Sequence, residues 1–224
     1  INGENIIAGN LEYDEGTIAL KSDLRIGYLK QNEALDTSNN LDEEIKDSLK
    51  LIFDTRKKID EISYKMSKAV GTDYEKLTEE YEKYTNIYNA TDGHNAEVRI
   101  NTVLNGMGFG SFDMNTPVSV LSGGEKTRFA LAKILVENPN LLILDEPTNH
   151  LDFSMLTWLE NYLKDYKGAV IIVSHDRDFA EQYGDRIIEL KDGKVIFDGD
   201  ITDGLKPEML IKVYDFDVTS YSGV

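Results

Sequence analysis

Cysteine is absent from the chain, which has 224 residues. Disulfide bonds and metal sites built on thiolates are therefore excluded, and the absence fits a cytosolic protein. Long apolar runs are also missing, because no stretch approaches the ~20 residues that cross a bilayer. The first residues show no signal-peptide pattern. We therefore expect a cytoplasmic protein without direct membrane insertion.

Positive charge is scarce in this sequence. The chain has 24 lysines and arginines against 41 aspartates and glutamates, for a formal net charge of −17. This balance argues against a generally basic surface for nucleic acid, so any contact with RNA has to be local. The length suffices for one sizeable core, or for a core plus an accessory element.

The most informative stretch is an apolar run that ends in two carboxylates. Residues 141–144 are Leu-Leu-Ile-Leu, and Asp145, Glu146 and Pro147 follow directly. A strand that is apolar on both faces belongs inside a parallel sheet covered by helices. Ligands bind such sheets just beyond the carboxyl ends of the strands, which makes Asp145 and Glu146 candidate site residues.

A second buried strand is predicted at 169–173, and Ser174-His175-Asp176 follows it. A helix over 153–166 connects the two strands, with Trp158 as a packing residue. Its inward-facing residues are predicted to be Phe153, Leu156, Leu159 and Leu163. Strand, helix and strand form a right-handed βαβ unit, which places His175 at the same sheet edge as Asp145 and Glu146.

Alternating apolar residues predict further strands near both ends of the chain. Those at the beginning are expected at 11–13, 17–20 and 24–29. The last of them runs into Gln31. Near the other end, strands at 186–190 and 194–197 are predicted to pair as a hairpin across Asp192-Gly193.

Between residues 41 and 92 the sequence becomes charged and helical. Apolar residues recur every three or four positions, which predicts a helix from 42 to 69, roughly 40 Å long at 1.5 Å per residue. Gly71 breaks the pattern, and a second helix carries a stripe formed by Tyr74, Leu77, Tyr81, Tyr84 and Tyr88. We expect an antiparallel helical hairpin that projects as an arm. The stripe fits a coiled-coil seam, with a base-stacking surface as the alternative.

A helix is predicted at 95–109, and another begins at Ser122-Gly123-Gly124-Glu125 and stops before Asn138-Pro139. Ser122 and Glu125 have the spacing of a capping box. The first turn offers free backbone N–H groups, and its two glycines allow close approach, so it is suited to hold a phosphate. A capped helix that binds nothing is the alternative.

These candidate residues suit phosphoryl chemistry. Asp145 is placed to hold Mg²⁺ through oxygen or water, and Glu146 to orient or deprotonate an attacking water. His175 can hydrogen-bond a γ-phosphate and stabilise the developing charge. Catalysis of this kind is mainly positioning and electrostatics.

At this point the sequence strongly resembles the ATP-binding cassette (ABC) ATPases. The matching motifs, in the family's order, are Gln31 as the Q-loop, 121–125 as the signature motif, 141–146 as the Walker B strand, 149–152 as the D-loop and 174–176 as the H-switch. Residues 146–152 and 174–179, with the charged hairpin, are similar to the F subfamily of soluble, ribosome-associated twin-cassette proteins. The resemblance implies an α/β nucleotide-binding domain with a parallel sheet, flanking helices, a small antiparallel sheet and an inserted helical hairpin.

The resemblance also implies an ATPase that converts ATP and water to ADP and phosphate, with ATP and Mg²⁺ as cofactors. Glu146 would be the catalytic carboxylate, and Gln31 and Asp145 would serve the Mg²⁺ and the water. His175 would sense the γ-phosphate.

Partners follow from the same resemblance. Ser122, Gly123 and Gly124 would contact ATP bound to a second cassette, and Asp152, in the D-loop, would also belong to the nucleotide site. The hairpin would reach toward ribosomal RNA and the transfer-RNA sites, in a translation factor or a ribosome-protecting antibiotic-resistance protein.

The sequence departs from the family pattern in two places. No phosphate loop G-x-x-x-x-G-K-[ST] occurs, so we expect an N-terminally truncated cassette that is inactive as given. We divide it into a partial nucleotide-binding domain at 1–40 and 93–203, a hairpin at 41–92 and a tail at 204–224. The tail looks more like that of an importer, which leaves the ATPase subunit of an ABC membrane transporter as an alternative. An inert or regulatory fragment is a third hypothesis.

Overall fold

Two sheets organise the chain. The computed structural model describes residues 3–22, 24–29, 35–174, 184–191 and 193–206. The first sheet has three parallel strands in the order β1 (Ile26–Leu29), β2 (Leu141–Asp145) and β3 (Ala169–Val173). The second pairs β4 (Arg186–Lys191) with β5 (Lys194–Asp200) in antiparallel fashion, as predicted. The α/β class with flanking helices and a small antiparallel sheet is confirmed.

β2 is the central and most buried strand of the parallel sheet. Leu142, Ile143 and Leu144 are completely buried, as expected for a strand that is apolar on both faces. Helix α6 (Gly123–Glu137) packs beside β1, and helix α7 (Phe153–Lys164) leads from β2 to the parallel strand β3. The predicted strand–helix–strand order and the parallel direction of the two strands are therefore confirmed.

β3 differs from the predicted second buried strand. Its residues alternate between exposed and half-buried, and Ile171 keeps 36% of its surface exposed. Among the described residues, a strand pairs with β3 only on its β2 side. An apolar run indicates that a strand can be buried on both faces, but it does not say which elements cover it.

The strands predicted at 11–13 and 17–20 do not form within the described residues 3–22. Helix α1 (Gly3–Ile7) is followed there by irregular chain. The large apolar side chains of this irregular segment are exposed, namely those of Leu11, Tyr13, Ile18 and Leu20. Two strands alone are marginal without a surface to pack on, so the alternating pattern was insufficient. The strand predicted at 24–29 forms only as β1.

The predicted first helix of the hairpin consists of two helices. α2 (Leu41–Ser48) ends at Leu49, where φ is −105° and ψ is 15°, and α3 (Lys50–Met66) begins directly after it. Leu49 is buried in the core, and so is Ile52 in the first turn of α3, so the interruption lies within the core. The expected continuous helix is therefore wrong, and α3 with its 17 residues is about 25 Å long.

The helical hairpin itself forms as predicted, because α3 packs against α4 (Thr72–Ala90). Gly71 lies in the connection and has a φ of 59°, a conformation that favours glycine. Burial along α4 increases toward the core, since Tyr74 is exposed, Tyr84 half-buried and Tyr88 buried. This gradient supports the seam interpretation of the stripe.

Helix α5 (Ala96–Gly106) follows the hairpin within the predicted range, and the short helix α8 (Ile201–Gly204) follows β5. In α7, Leu159 is buried and Trp158 stacks on Tyr162, which confirms its packing role. Phe153 is 84% exposed, so its predicted inward position is wrong. Six residues turn a helix by about 600°, which places Phe153 on a different side from Leu159.

No helix in the described ranges combines the length and the apolar character that a membrane crossing requires.

Candidate functional site

β2 delivers Asp145 and Glu146 to the carboxyl edge of the parallel sheet. Asp145 is the last residue of the strand, and Glu146 enters the left-handed region with a φ of 49°. The Glu146 N–H donates to the Val173 carbonyl oxygen over 2.8 Å, which joins this turn to the end of β3. A left-handed glutamate is uncommon and carries strain, so its surroundings must hold the turn in place.

The sheet edge around Asp145 is acidic and partly buried. Burial raises the pKa of the Tyr28 hydroxyl, and the negative charges of Glu4 and Asp145 raise it further. Carboxylates grouped at a strand end attract a divalent cation. Sequence reasoning missed Glu4 and Tyr28, because no local pattern indicates that α1 approaches this edge.

The loop between β2 and α7 is tight. The Asn149 N–H donates to the Glu146 carbonyl oxygen, and the Leu151 N–H donates to that of Thr148, both over 3.2 Å. His150 lies between them with a φ of 68°. The predicted D-loop is therefore a fixed turn that follows directly from the carboxylates.

Asp152 caps the N-terminus of α7. Its Oδ1 accepts hydrogen bonds from the Met155 N–H at 2.9 Å and the Ser154 hydroxyl at 2.7 Å. The bond from the Met155 backbone, followed by that from Ser154, lowers the pKa of Asp152. These contacts are those of a helix N-cap and explain its position. The nucleotide role of Asp152 stays a prediction.

Helix α6 begins with the predicted capping box. The Glu125 N–H donates to Ser122 Oγ over 3.3 Å, and the Ser122 N–H donates to Glu125 Oε2 over 2.8 Å. The Ser122 hydroxyl also donates to Oε2, over 2.6 Å, and this bond is the main reason why the pKa of Glu125 is lowered. By helix geometry, the N–H groups of Gly123 and Gly124 have no partner inside α6.

Packing within the described chain does not require glycine at the start of α6. A Cβ added at Gly123 would meet nothing within 4 Å, and one at Gly124 would lie 3.6 Å from His150 Cβ, an ordinary contact. At Gly106, in contrast, a Cβ would come within 2.1 Å of the Trp158 ring. The first turn of α6 therefore presents open backbone beside the D-loop.

The described residues fit ATP and Mg²⁺ in two places. Asp145 and Glu146 present carboxylate oxygens, the donors that Mg²⁺ and an attacking water need. The first turn of α6 presents N–H donors suited to phosphate. No group of three or more His, Cys, Asp or Glu in the described ranges could hold a metal by itself. Gln31 and His175 lie outside the described residues, so their roles stay predictions.

Comparison with known proteins extends this picture. The sequence profile described as ABC transporter matches residues 4–149, more than half of the chain. YdiF of Bacillus subtilis is 41% identical over 185 residues, which are 83% of this chain and 29% of that protein. The energy-dependent translational throttle protein EttA of Escherichia coli (strain K12) is 35% identical over 191 residues, 85% of this chain and 34% of that protein. The chain thus spans about a third of the length of these relatives.

A solved structure shares the fold. It is titled as the ATP binding subunit of an ABC transporter and has a TM-score of 0.60 at 19% identity, over 85% of this chain and 67% of the other. At this identity the likeness concerns the fold alone. The family match, however, includes Asp145, Glu146 and the first turn of α6, on which the candidate site is built. The chain therefore belongs to the ABC transporter family, as an ATP-binding domain.

Proposed function

We propose that the chain is the ATP-binding and ATP-hydrolysing cassette of an ABC-F-type protein that acts on ribosomes in the cytoplasm, in translation or in antibiotic resistance. The observation that carries this proposal is the hairpin formed by α3 and α4, inserted between β1 and α6. The match to EttA supports it, because a match over 85% of the chain is too long to leave out the hairpin in its interior. Residues 1–40 and 93–203 then form the cassette, 41–92 the hairpin and 204–224 a tail.

In this proposal, residues of the chain bind the metal, orient the attacking water and accept its proton at the edge of the parallel sheet. Glu146 orients the attacking water and accepts its proton. Asp145 and Gln31 would hold Mg²⁺, and His175 would donate a hydrogen bond to the γ-phosphate. Bound ATP and Mg²⁺ supply the phosphoryl group and the charge that neutralises it. The end of β2 supports this division, because Asp145 is the last residue of the strand and Glu146 already belongs to the left-handed turn after it.

A second cassette is part of the proposal. Gly123 and Gly124 support it, because no packing contact of the described chain requires glycine at either position. Their open backbone suits close approach by a molecule outside the chain. Ser122, Gly123 and Gly124 then bind the γ-phosphate of ATP held by the second cassette, in the same protein or in another subunit.

One side of α3 offers the local positive charge that contact with RNA requires. Residues 42–90 have 9 basic and 12 acidic side chains, so the hairpin as a whole is not basic. Lys57, Tyr64 and Lys65, however, recur at intervals that place them on one exposed side of α3, and Lys68 follows two residues after the helix ends. Two carboxylates, those of Asp54 and Glu61, lie on the same side. The Lys68 ammonium lies 4.0 Å from the centroid of the Tyr64 ring. We name Lys57, Tyr64, Lys65 and Lys68 the α3 basic face.

Ribosome binding in the ATP-bound state tests the proposal. In the full-length protein, Glu146→Gln should lower ATP turnover by about a hundredfold or more, because the water loses its base. The variant should then co-sediment with ribosomes when ATP is present and not when it is absent. Glu97→Gln, at an exposed position on α5, is the matched control. If neither Glu146→Gln nor Glu97→Gln associates with ribosomes in a nucleotide-dependent way, the ribosomal role is ruled out.

The alternative is the ATPase subunit of an ABC membrane transporter. The description of the matching family as ABC transporter favours it, as does the importer-like sequence after residue 204, of which 207–224 lie outside the described residues. Co-purification of the full-length protein with a membrane permease, together with failure to bind ribosomes, would support this second function.

A further inference from the structure

Both ends of the hairpin attach to the same helix of the cassette. α2 leads into the hairpin, α5 leads out of it, and both pack against α6. The opposite end of α6 carries the capping box of Ser122 and Glu125. One helix therefore connects the hairpin to the turn that faces the proposed second cassette.

The first attachment is a buried ion pair. Glu44 on α2 is only 2% exposed, and its Oε2 accepts a hydrogen bond from the Lys133 ammonium of α6. The other oxygen, Oε1, accepts from the Asp36 N–H at 3.2 Å and from Asn39 Nδ2 at 3.1 Å. Glu44 thus joins three segments of the chain: the stretch after β1, the start of the hairpin region and α6.

The second attachment lies on the outgoing side. Arg99 of α5 donates from Nε to the Val136 carbonyl oxygen of α6 over 2.7 Å. Its Nη1 donates to Asp92 Oδ2 over 2.9 Å, at the point where α4 has ended. Asp92 has a φ of 52°, so the bend between α4 and α5 is fixed by backbone as well as by charge.

The two attachments act on one turn of α6. Lys133 and Val136 are three residues apart, and Gly123 is ten residues from Lys133, roughly 15 Å along the same helix. Because a helix of this length behaves as a stiff rod, a displacement of the hairpin at its base moves the first turn of α6.

The charge of Glu44 matters for this geometry. An apolar pair of similar volume could fill the same space, whereas buried hydrogen-bonded charges define the relative position of their elements. The exposed pair of Asp42 and Lys46, on the same helix α2, links only residues of that helix.

We propose that Glu44 is a positioning residue that couples the hairpin to the ATP site through Lys133, with Arg99 as the second attachment. The proposal rests on the proposed function in that the hairpin binds a partner and α6 contributes to ATP hydrolysis. A partner that displaces the hairpin thereby changes the position of Ser122, Gly123 and Gly124, and with it the rate of ATP turnover.

The main test variant is Glu44→Gln in the full-length protein. Glutamine keeps a carbonyl oxygen for Asp36 and Asn39 and replaces Oε2 by an NH2 group, which removes both the charge and the hydrogen-bond acceptor opposite Lys133. A second carboxyl group lies near Lys133, that of Glu137, whose pKa is raised by burial and only partly lowered again by the Lys133 charge. Glu44→Gln/Lys133→Met is a second variant without the lysine, and Asp42→Asn/Lys46→Gln is the control.

The first measurement needs no partner. Spin labels are placed at Val70→Cys, which is 85% exposed at the far end of the hairpin, and at Thr127→Cys on α6. We expect a narrow distance distribution between the labels in the parent and in the control, with and without ATP. The distribution should broaden in Glu44→Gln and in Glu44→Gln/Lys133→Met. An unchanged distribution in both overturns the proposal.

The second measurement is the ratio of ribosome-stimulated to basal ATP turnover. We expect Glu44→Gln to lower this ratio by about fivefold or more, the usual size of a coupling between sites, while ribosome affinity and the control ratio are retained. A retained ratio overturns the coupling. If the parent protein does not respond to ribosomes at all, the proposed ribosomal role fails, and the label distances alone decide the inference.

Discussion

At the scale of single residues, glycine is expected to be required at positions 123 and 106 for different reasons. For Gly123→Ala we expect no loss in the free energy of unfolding, because a Cβ there meets nothing within 4 Å. ATP turnover by the full-length protein should nevertheless fall, because the methyl group would face the proposed second cassette. Urea unfolding and phosphate release measure the two effects.

Gly106→Ala is the matched control and should show the opposite result. Its Cβ would lie 2.1 Å from the Trp158 ring, and overpacking of this kind costs about 1–3 kcal/mol. Equal losses of stability in the two variants would mean that the first turn of α6 is a packing site, contrary to the proposal.

The capping box of α6 makes stability depend on pH. Because the pKa of Glu125 is lowered in the folded chain, the unfolded chain takes up the proton first. The stabilising contribution is therefore present above the unfolded pKa and is lost as pH falls through the folded pKa. Between about pH 7 and about pH 3, the thermal midpoint should fall less steeply for Ser122→Ala than for the parent.

Ser63→Ala, at an exposed position on α3, serves as the control for this comparison. Its midpoint should follow the parent curve. If the curve of Ser122→Ala is also parallel to that of the parent, the pKa of Glu125 is not set by the box.

At the scale of elements, local patterns predicted what local forces determine. The apolar run of β2, the capping box of α6 and the glycine between α3 and α4 all agree with the structure. The interruption at Leu49 was missed, because α2 packs on α6, which is far away in sequence, and no local pattern indicates that contact. The partial exposure of β3 was missed for the same reason, since burial depends on elements that a strand's own sequence does not specify.

In the candidate site, too, some residues could be predicted from local sequence and others only from the tertiary structure. Asp145 and Glu146 follow from the end of an apolar strand, and Ser122 and Glu125 from a spacing of three. Glu44 has no such signal, because a glutamate in a charged helix resembles its exposed neighbours. Only the tertiary structure shows that it is buried against Lys133.

The α3 basic face gives a prediction for the hairpin. Replacing Lys57, Lys65 and Lys68 by glutamine should weaken ribosome binding without unfolding α3, because all three side chains are exposed. Each lysine that contacts a phosphate should lower the salt slope of binding by about one unit. Lys76→Gln/Lys83→Gln, on α4, is the control. An equal loss per lysine removed in the two variants would mean that general charge, not this face, attracts the ribosome.

At the scale of the whole molecule, the 224 residues contain no phosphate loop of the G-x-x-x-x-G-K-[ST] pattern. We expect these residues alone to turn over ATP no faster than background. Glu146→Gln in the same chain should make no difference, whereas it should abolish most turnover in the full-length protein. A rate for the isolated chain that falls on Glu146→Gln would show that these 224 residues suffice for hydrolysis.

The outer edge of β3 has a consequence for how the protein behaves at high concentration. Its sequence, Ala-Val-Ile-Ile-Val, has strong β propensity and contains neither charge nor proline. In the described part of the sheet its outer edge has no neighbouring strand, and such an edge is a template for intermolecular pairing. The sequence of β3 itself favours such pairing, so concentrated preparations of the isolated chain should form cross-β aggregates that start at this strand, and Ile171→Lys should delay them.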